Sequence, residues 1–172
     1  MPRMCRVLTS REARRCQPQG GFTLVELVVV IIILGVLAAL AVPKFVALGT
    51  DARIASVKAL AGTLQSTALN VRAICKINPA CDYTLNYQLL TLGGRQADLN
   101  YGWLDSGDTL GGNEIDGWID YSGFTASLPQ TSYTLFSLDG APDPATCSVS
   151  YADAYYRGPT LGILITTNTA GC

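Results

Sequence analysis

This sequence lacks several of the residue patterns that commonly carry out catalysis. Its 172 residues include no histidine, which excludes a Ser-His-Asp triad and any metal site built on histidine. The sequence has no glycine-rich loop of the phosphate-binding or dinucleotide-binding pattern, and its six cysteines do not have metal-ligand spacing. It therefore predicts a protein that is not an enzyme and that uses neither a cofactor nor a metal.

Two groups of residues in the second half could bind a ligand, but we prefer a plainer interpretation of each. The acidic residues between Asp105 and Asp116 do not have the spacing of an EF-hand loop, and we expect a solvated acidic loop there. Four aromatic residues are able to stack on sugars, although core or subunit-interface packing is the preferred interpretation. They are Trp103, Trp118, Tyr155 and Tyr156.

Glu26 is a charged residue with unusually apolar neighbours in the sequence. It is the only charged residue in an apolar run from Phe22 to Val42, which as a helix would reach about 30 Å and cross a bilayer. A charge in such a helix costs about 2.5–3.5 kcal/mol at the membrane centre, less near its edge, and usually marks a function. We therefore interpret Glu26 as functional. The alternative is a glutamate that only extends towards the lipid headgroups.

The segment before this helix, residues 1–21, carries five arginines against one acid, Glu12. This bias predicts a cytoplasmic N-terminus, with the acidic remainder on the far side of the membrane; that acidic remainder also argues against nucleic-acid binding. In an ordinary secretory signal the apolar core precedes the cleavage site. Here Gly20 and Gly21 precede the apolar core, so a cut after Gly21 would leave the helix attached and make Phe22 the new N-terminus.

The stretch Gly21-Phe22-Thr23-Leu24-Val25-Glu26 resembles the class III signal of type IV prepilins, in which a glycine precedes the cut and a glutamate is the fifth residue after it. Gly35 and Pro43 also fall where these pilins carry a glycine and a helix-bending proline. Residues 1–21 are longer than the usual leader of the type IVa subclass, and Met4 is an alternative start.

This resemblance implies a set of roles and partners. A prepilin peptidase would cleave between Gly21 and Phe22 and methylate the Phe22 amine. In the filament, Glu26 of an incoming subunit would neutralise the Phe22 amine of a neighbour. The subunit would lie in the bacterial inner membrane and then, through an assembly ATPase, a platform protein and a secretin, enter an extracellular homopolymer held together by its N-terminal helices.

A weaker similarity concerns the purpose of the fibre. Phe45-Val46-Ala47-Leu48 followed by Asp51-Ala52-Arg53 is similar to the mannose-sensitive haemagglutinin branch of type IVa pilins, which implies a surface pilus used in attachment. A pseudopilin of a type II secretion system and a minor pilin that primes the filament remain alternatives. Either would carry the same leader.

Residues 44–77 are expected to continue the helix in amphipathic form. Pro43 should bend it, and Asn78-Pro79 should end it. One stripe of the helix repeats in steps of three and four residues and needs a sheet to cover it. The stripe consists of Ile54, Val57, Ala61, Leu64, Ala68, Val71 and Cys75.

Four cysteines follow the membrane segment, where the compartment permits disulfides. Three pairings are possible. We prefer Cys75–Cys81 and Cys147–Cys172, since each joins the ends of one local segment; free buried thiols are the alternative. The second pair also resembles the disulfide-bounded C-terminal region of type IV pilins.

The remaining sequence, residues 78–172, is expected to hold a connecting region and an antiparallel sheet. Residues 82–117 show no sustained period and predict a long surface loop. Four strands are expected after it, with one face of their sheet on the helical stripe. They are Trp118–Tyr121, Ser132–Leu138, a segment around Val149 and Tyr151, and Leu161–Ile165. The predicted fold class is α+β, divided into residues 1–21, 22–43, 44–77 and 78–172.

Overall fold

The computed structural model describes residues 21–107, 112–130, 133–157 and 162–172. The chain divides into two compact units, Met1–Pro43 and Lys44–Cys172. One long helix, α1 (Leu24–Ile77), runs through the end of the first unit into the second, and antiparallel sheets follow it. The α+β class predicted from the sequence is therefore confirmed.

In the first unit, α1 exposes its apolar side chains on all sides. Val28 is the most covered large one, yet it is still 38% exposed, and Phe22 is 88% exposed. Within the described residues this is the helix whose length and composition would allow it to cross a membrane. The helix continues through Pro43, which excludes a helix end there, while the bend expected at that proline stays a prediction.

In the second unit, the stripe predicted from the sequence lies in the core. Val57, Leu64, Ala68, Val71 and Cys75 are buried, and Ile54 and Ala61 pack against them at the margin. Leu60 joins this face, although it is not part of the predicted stripe. Helix α1 ends at Ile77, and the next residue, Asn78, accepts a hydrogen bond from the Ala80 amide at 3.0 Å, which supports the turn at Pro79.

The first sheet corrects the prediction of a long loop over residues 82–117. It contains β1 (Gln88–Leu92), β2 (Arg95–Asn100) and the short β3 (Trp103–Leu104), all antiparallel and adjacent in chain order. Gly93 and Gly94, both with positive φ, form the turn between β1 and β2. Leu92, Ala97, Leu99 and Leu104 bury the inner face of this sheet.

The second sheet is antiparallel and has the order β4-β5-β6-β7. Its strands are β4 (Phe124–Gln130), β5 (Tyr133–Leu138), β6 (Cys147–Ala152) and β7 (Leu164–Thr169). The strands predicted at Ser132–Leu138 and around Val149 and Tyr151 are confirmed over the described residues; Ser132 itself lies outside them. The short helix α2 (Ala154–Arg157) follows β6.

Two strand predictions for this sheet are wrong in position. Trp118–Tyr121 is not a strand: Ile115–Trp118 forms a 3₁₀ helix, and β4 begins later at Phe124. The last strand begins at Leu164, not at Leu161, which lies outside the described residues. In each case a glycine with positive φ, Gly123 or Gly162, lies shortly before the strand begins.

Both preferred disulfides are present. Cys75 and Cys81 are joined with their Cα atoms 5.3 Å apart, and Cys147 and Cys172 with theirs 4.9 Å apart. All four cysteines are buried in the same core as the helical stripe. The alternative of free buried thiols is therefore excluded for these four residues.

Candidate functional site

The start of α1 is built around a reciprocal pair, Thr23 and Glu26. The Thr23 amide and the Thr23 hydroxyl each donate a hydrogen bond to Glu26 Oε2, both at 2.9 Å. The Glu26 amide donates in return to Thr23 Oγ1 at 3.2 Å. This is a capping box, which satisfies backbone donors that a helix leaves unpaired at its N-terminus. Glu26 therefore has a partner within its own chain.

The sequence contained the signal for this capping box, but it was missed. Thr23-x-x-Glu26 directly before an apolar run is the spacing of the motif. Glu26 therefore has a second role, as part of the helix cap, besides that of a charge in an apolar run. The cap also places the carboxylate at the helix N-terminus, where the helix dipole favours a negative charge.

The two Thr23 donors both use Oε2. Among the described residues, no hydrogen bond is made to the other carboxylate oxygen, Oε1. A carboxylate has about four lone-pair sites in total. Glu26 is thus held in position by one oxygen and keeps the other available for a further donor.

The expected cleavage position is open. Phe22 is almost fully exposed, and a Cβ placed on Gly21 would meet no atom within 4 Å. The two residues thus form an accessible backbone segment just before the helix begins at Leu24. The cleavage and methylation themselves stay predictions.

The acidic residues between Asp105 and Asp116 are not the solvated loop that the sequence suggests. Glu114 and Asp116 are buried at the 3₁₀ helix, and Asp105 is largely buried as well. Asp108 lies outside the described residues. Among the residues described here, no group of three or more His, Cys, Asp and Glu side chains is arranged to hold a metal ion.

The tryptophans lie against guanidinium groups. Arg72 lies over the ring of Trp103, with 5.2 Å between the guanidinium carbon and the ring centroid, and Arg95 lies 4.9 Å from the ring centroid of Trp118. Trp118 Nε1 also donates to the carbonyl of Gln96 at 3.3 Å. These contacts agree with the packing interpretation of both rings. Tyr155 is exposed, and the side chain of Tyr156 lies outside the described part of the structure.

The second unit, Lys44–Cys172, which we call the globular unit, also holds its last residues in place. Arg53 Nη1 on α1 donates to the backbone carbonyl of Cys172 at 2.7 Å. The Gly171 amide donates to the Thr146 carbonyl at 3.0 Å, next to the Cys147–Cys172 disulfide. These bonds fasten the segment after β7 to the helix and to the start of β6.

Comparison with known proteins bears on the same N-terminal segment. Residues 16–42 match the family model of the prokaryotic N-terminal methylation motif. The chain is also 45% identical over 62 residues to the type IV narrow pilus major component PilA5 of Thermus thermophilus. These 62 residues make up 36% of this chain and 53% of that protein. The chain thus spans about half the length of this curated relative, and no solved structure matches. This chain thus carries the N-terminal methylation motif and is similar to a type IV pilin over about a third of its length.

Proposed function

We propose that this chain is a prepilin whose mature form is the structural subunit of an extracellular type IV pilus used for attachment. The observation that carries the proposal is the motif Gly21–Glu26 at the start of a helix that exposes its apolar side chains on all sides. A protein that functioned as a monomer in water would leave this surface exposed at a large cost in free energy. Lipid covers the helix before assembly, and neighbouring helices cover it afterwards.

Processing is the first step. A prepilin peptidase removes residues 1–21 by cutting between Gly21 and Phe22 and then methylates the new amine of Phe22. The open backbone at Gly21 and the exposed Phe22 side chain support access of an enzyme to this bond. The match to the methylation motif over residues 16–42 supports the same step.

Assembly uses the two charges that processing leaves near the membrane boundary. The Phe22 amine is a cation, and Glu26 of the incoming subunit accepts it. Opposite charges at about 4 Å attract by roughly 4 kcal/mol at an effective dielectric constant of 20, less the cost of desolvating them. Glu26 Oε1 is able to take this bond while Oε2 keeps its contacts with Thr23.

The remaining partners and the location follow from the same proposal. The N-terminus faces the cytoplasm and the globular unit faces outwards, where its two disulfides can form and persist. An assembly ATPase, a platform protein and a secretin move the subunit from the inner membrane into the pilus. The attachment role rests on the similarity of residues 45–53 to the mannose-sensitive haemagglutinin branch.

The decisive measurement is the intact mass of the protein from fibres sheared off the cell surface. We expect a chain that begins at methylated Phe22 and contains two disulfides. A mature chain found only in short periplasmic assemblies would instead identify a pseudopilin. A chain present in surface fibres only in trace amounts would identify a minor pilin.

A second experiment tests Glu26 directly. In a strain without the wild-type subunit, Glu26→Val should abolish surface fibres, while Asp51→Val, which removes an exposed acid from the same helix, should not. Normal fibres from the Glu26→Val strain would show that the carboxylate does not set the register of the subunits.

A further inference from the structure

Strand β7 forms one edge of the four-stranded sheet. It pairs with β6 in continuous register, from Leu164 opposite Ala152 to Thr169 opposite Cys147, and no described strand pairs with its other side. An antiparallel edge strand of this length directs about three N–H and about three C=O groups away from its neighbour. The outer edge of β7 therefore offers a row of backbone donors and acceptors that another strand can use.

The side chains of β7 do not protect this edge. Leu164, Thr166, Thr167 and Asn168 are exposed, and residues 158–172 contain no Asp, Glu, Lys or Arg. Proteins commonly protect an exposed edge with charged side chains, with proline or with a bulge, because an unprotected edge pairs with other chains. β7 contains neither a charge nor a proline, and its register with β6 has no bulge.

Among the described strands, the other edges of the two sheets are shorter or interrupted. β4 contains Pro129, and its register with β5 is irregular. β3 is only two residues long. β1 has five residues, and the side chain of its first residue, Gln88, donates to the Ala80 carbonyl at 2.7 Å and accepts from the Asp82 amide at 2.9 Å. β7 is therefore the longest edge with a regular register.

The end of β7 is also fixed in position. The Gly171 amide donates to the Thr146 carbonyl at 3.0 Å, and the Gly171 carbonyl accepts from the Asp143 amide at 3.1 Å. The Cys147–Cys172 disulfide joins the start of β6 to the segment after β7. A strand that is already extended and fastened loses little conformational freedom when it pairs, so the cost of binding at this edge is low.

From this geometry we propose that β7 pairs in antiparallel orientation with β7 of a second copy of this chain, and that the contact joins neighbouring fibres side by side. The inference rests on the proposed function for the existence of the fibre. A second copy fits this edge because pairing a strand with itself brings like charges close together, and β7 has no charge to repel. Its three threonines also suit the contact, because Thr–Thr pairs across strands are stabilising.

One such contact is too small to hold two globular units together. The strand extends about 20 Å, and two paired edges of this length bury far less than the about 1,000 Å² that a stable interface needs. A fibre or a membrane presents many copies at once, and linked contacts exceed a single one in strength by about 10²–10⁴. We therefore expect single globular units in dilute micelles, but association between surfaces that present many copies.

The test uses the full chain in phosphatidylcholine vesicles, which present many globular units whether or not the chain forms fibres. Wild-type vesicles should associate, and light scattering measures the fraction that does. Thr166→Lys places a charge on the edge and should reduce association at least about tenfold, because like charges then meet across the contact. Thr91→Lys introduces the same charge at an exposed position on β1 and should associate like wild type. Thr167→Lys supplies a second variant of this edge if Thr166→Lys does not fold.

Electron micrographs of sheared fibres supply the second measurement. Wild-type fibres should lie in bundles, and Thr166→Lys fibres, in equal amount, should lie singly. A wild-type strain without fibres would contradict the proposed function, and the vesicles would still decide the role of β7. Wild-type vesicles that stay dispersed would refute the inference. So would association that persists in both Thr166→Lys and Thr167→Lys, or that is lost in Thr91→Lys, because the contact would then lie elsewhere.

Discussion

The two disulfides provide the sharpest quantitative test of how the globular unit is held together. We would compare the double variant Cys147→Ala/Cys172→Ala with the double variant Cys75→Ala/Cys81→Ala. The two pairs are well matched, since each contains one cysteine that is at most 1% exposed and one that is 7–9% exposed. The packing lost on substitution is therefore similar, and the main difference is the length of the closed loop.

The loop lengths set the expected magnitude. The Cys147–Cys172 disulfide closes a segment with a sequence separation of 25, and the Cys75–Cys81 disulfide one with a separation of 6. On the loop-entropy model these correspond to about 3.5 and about 2.2 kcal/mol of stability, a difference of about 1.3 kcal/mol. Loss of the first disulfide also loosens Cys172, whose carbonyl accepts from Arg53, so the difference should be at least this large.

The assay is urea unfolding in detergent micelles, read from the fluorescence of Trp103 and Trp118. The background should carry Cys5→Ser and Cys16→Ser, so that no other thiol can exchange with the four cysteines of the globular unit. The free energy of unfolding should fall further for Cys147→Ala/Cys172→Ala than for Cys75→Ala/Cys81→Ala. Equal losses, or a larger loss for the shorter loop, would show that loop closure does not govern the contribution of these bonds.

Two further predictions concern α1. Leu64→Ala should lower the free energy of unfolding by about 2–5 kcal/mol, because Leu64 is fully buried in the core. As a control in the same urea titration, Leu69→Ala, at a side chain that is 49% exposed, should change this free energy by less than about 0.5 kcal/mol. Thr23→Val removes the hydroxyl that accepts from the Glu26 amide, so amide hydrogen exchange at Glu26 should become about fivefold faster in micelles. This factor corresponds to about 1 kcal/mol. Thr23→Ser keeps the hydroxyl and should leave the exchange rate unchanged. Similar losses at Leu64 and Leu69, or unchanged exchange in Thr23→Val, would contradict these assignments.

The sequence predicted the long helix well because its signals are local and repeated. The apolar run before Pro43 and the stripe from Ile54 to Cys75 each extend over several turns, so a single exception such as Leu60 does not alter the pattern. The strand β5 was also predictable, because buried and partly exposed side chains alternate along it, and so was β6, in which Val149 and Tyr151 alternate with serines. Cys147 and Cys172 could be paired in advance because they join the ends of one local segment.

The first sheet was missed in part because β2 resembles a loop in composition. β2 is Arg-Gln-Ala-Asp-Leu-Asn, in which only Ala97 and Leu99 alternate as apolar residues. β1 and β2 are defined by their pairing, from Gln88 opposite Leu99 to Leu92 opposite Arg95, and such pairing is set by tertiary contacts more than by residue preference. The bond from the Tyr151 hydroxyl to the Leu104 carbonyl, which joins the two sheets, was missed because its members lie 47 positions apart and no local pattern connects them.

The structure also changes the physical explanation of Glu26. As an isolated charge, it would cost free energy in the membrane until a neighbour's amine arrived. The Thr23 amide and hydroxyl already donate to Glu26 Oε2, so the carboxylate offsets part of its own cost by capping the helix that contains it. In the proposed filament this arrangement need not break, because Glu26 Oε1 can accept the Phe22 amine of a neighbouring subunit. On this reasoning Thr23 fixes the position of Glu26, and Glu26 fixes the register of the filament. Thr23→Val should therefore reduce fibre formation less than Glu26→Val does.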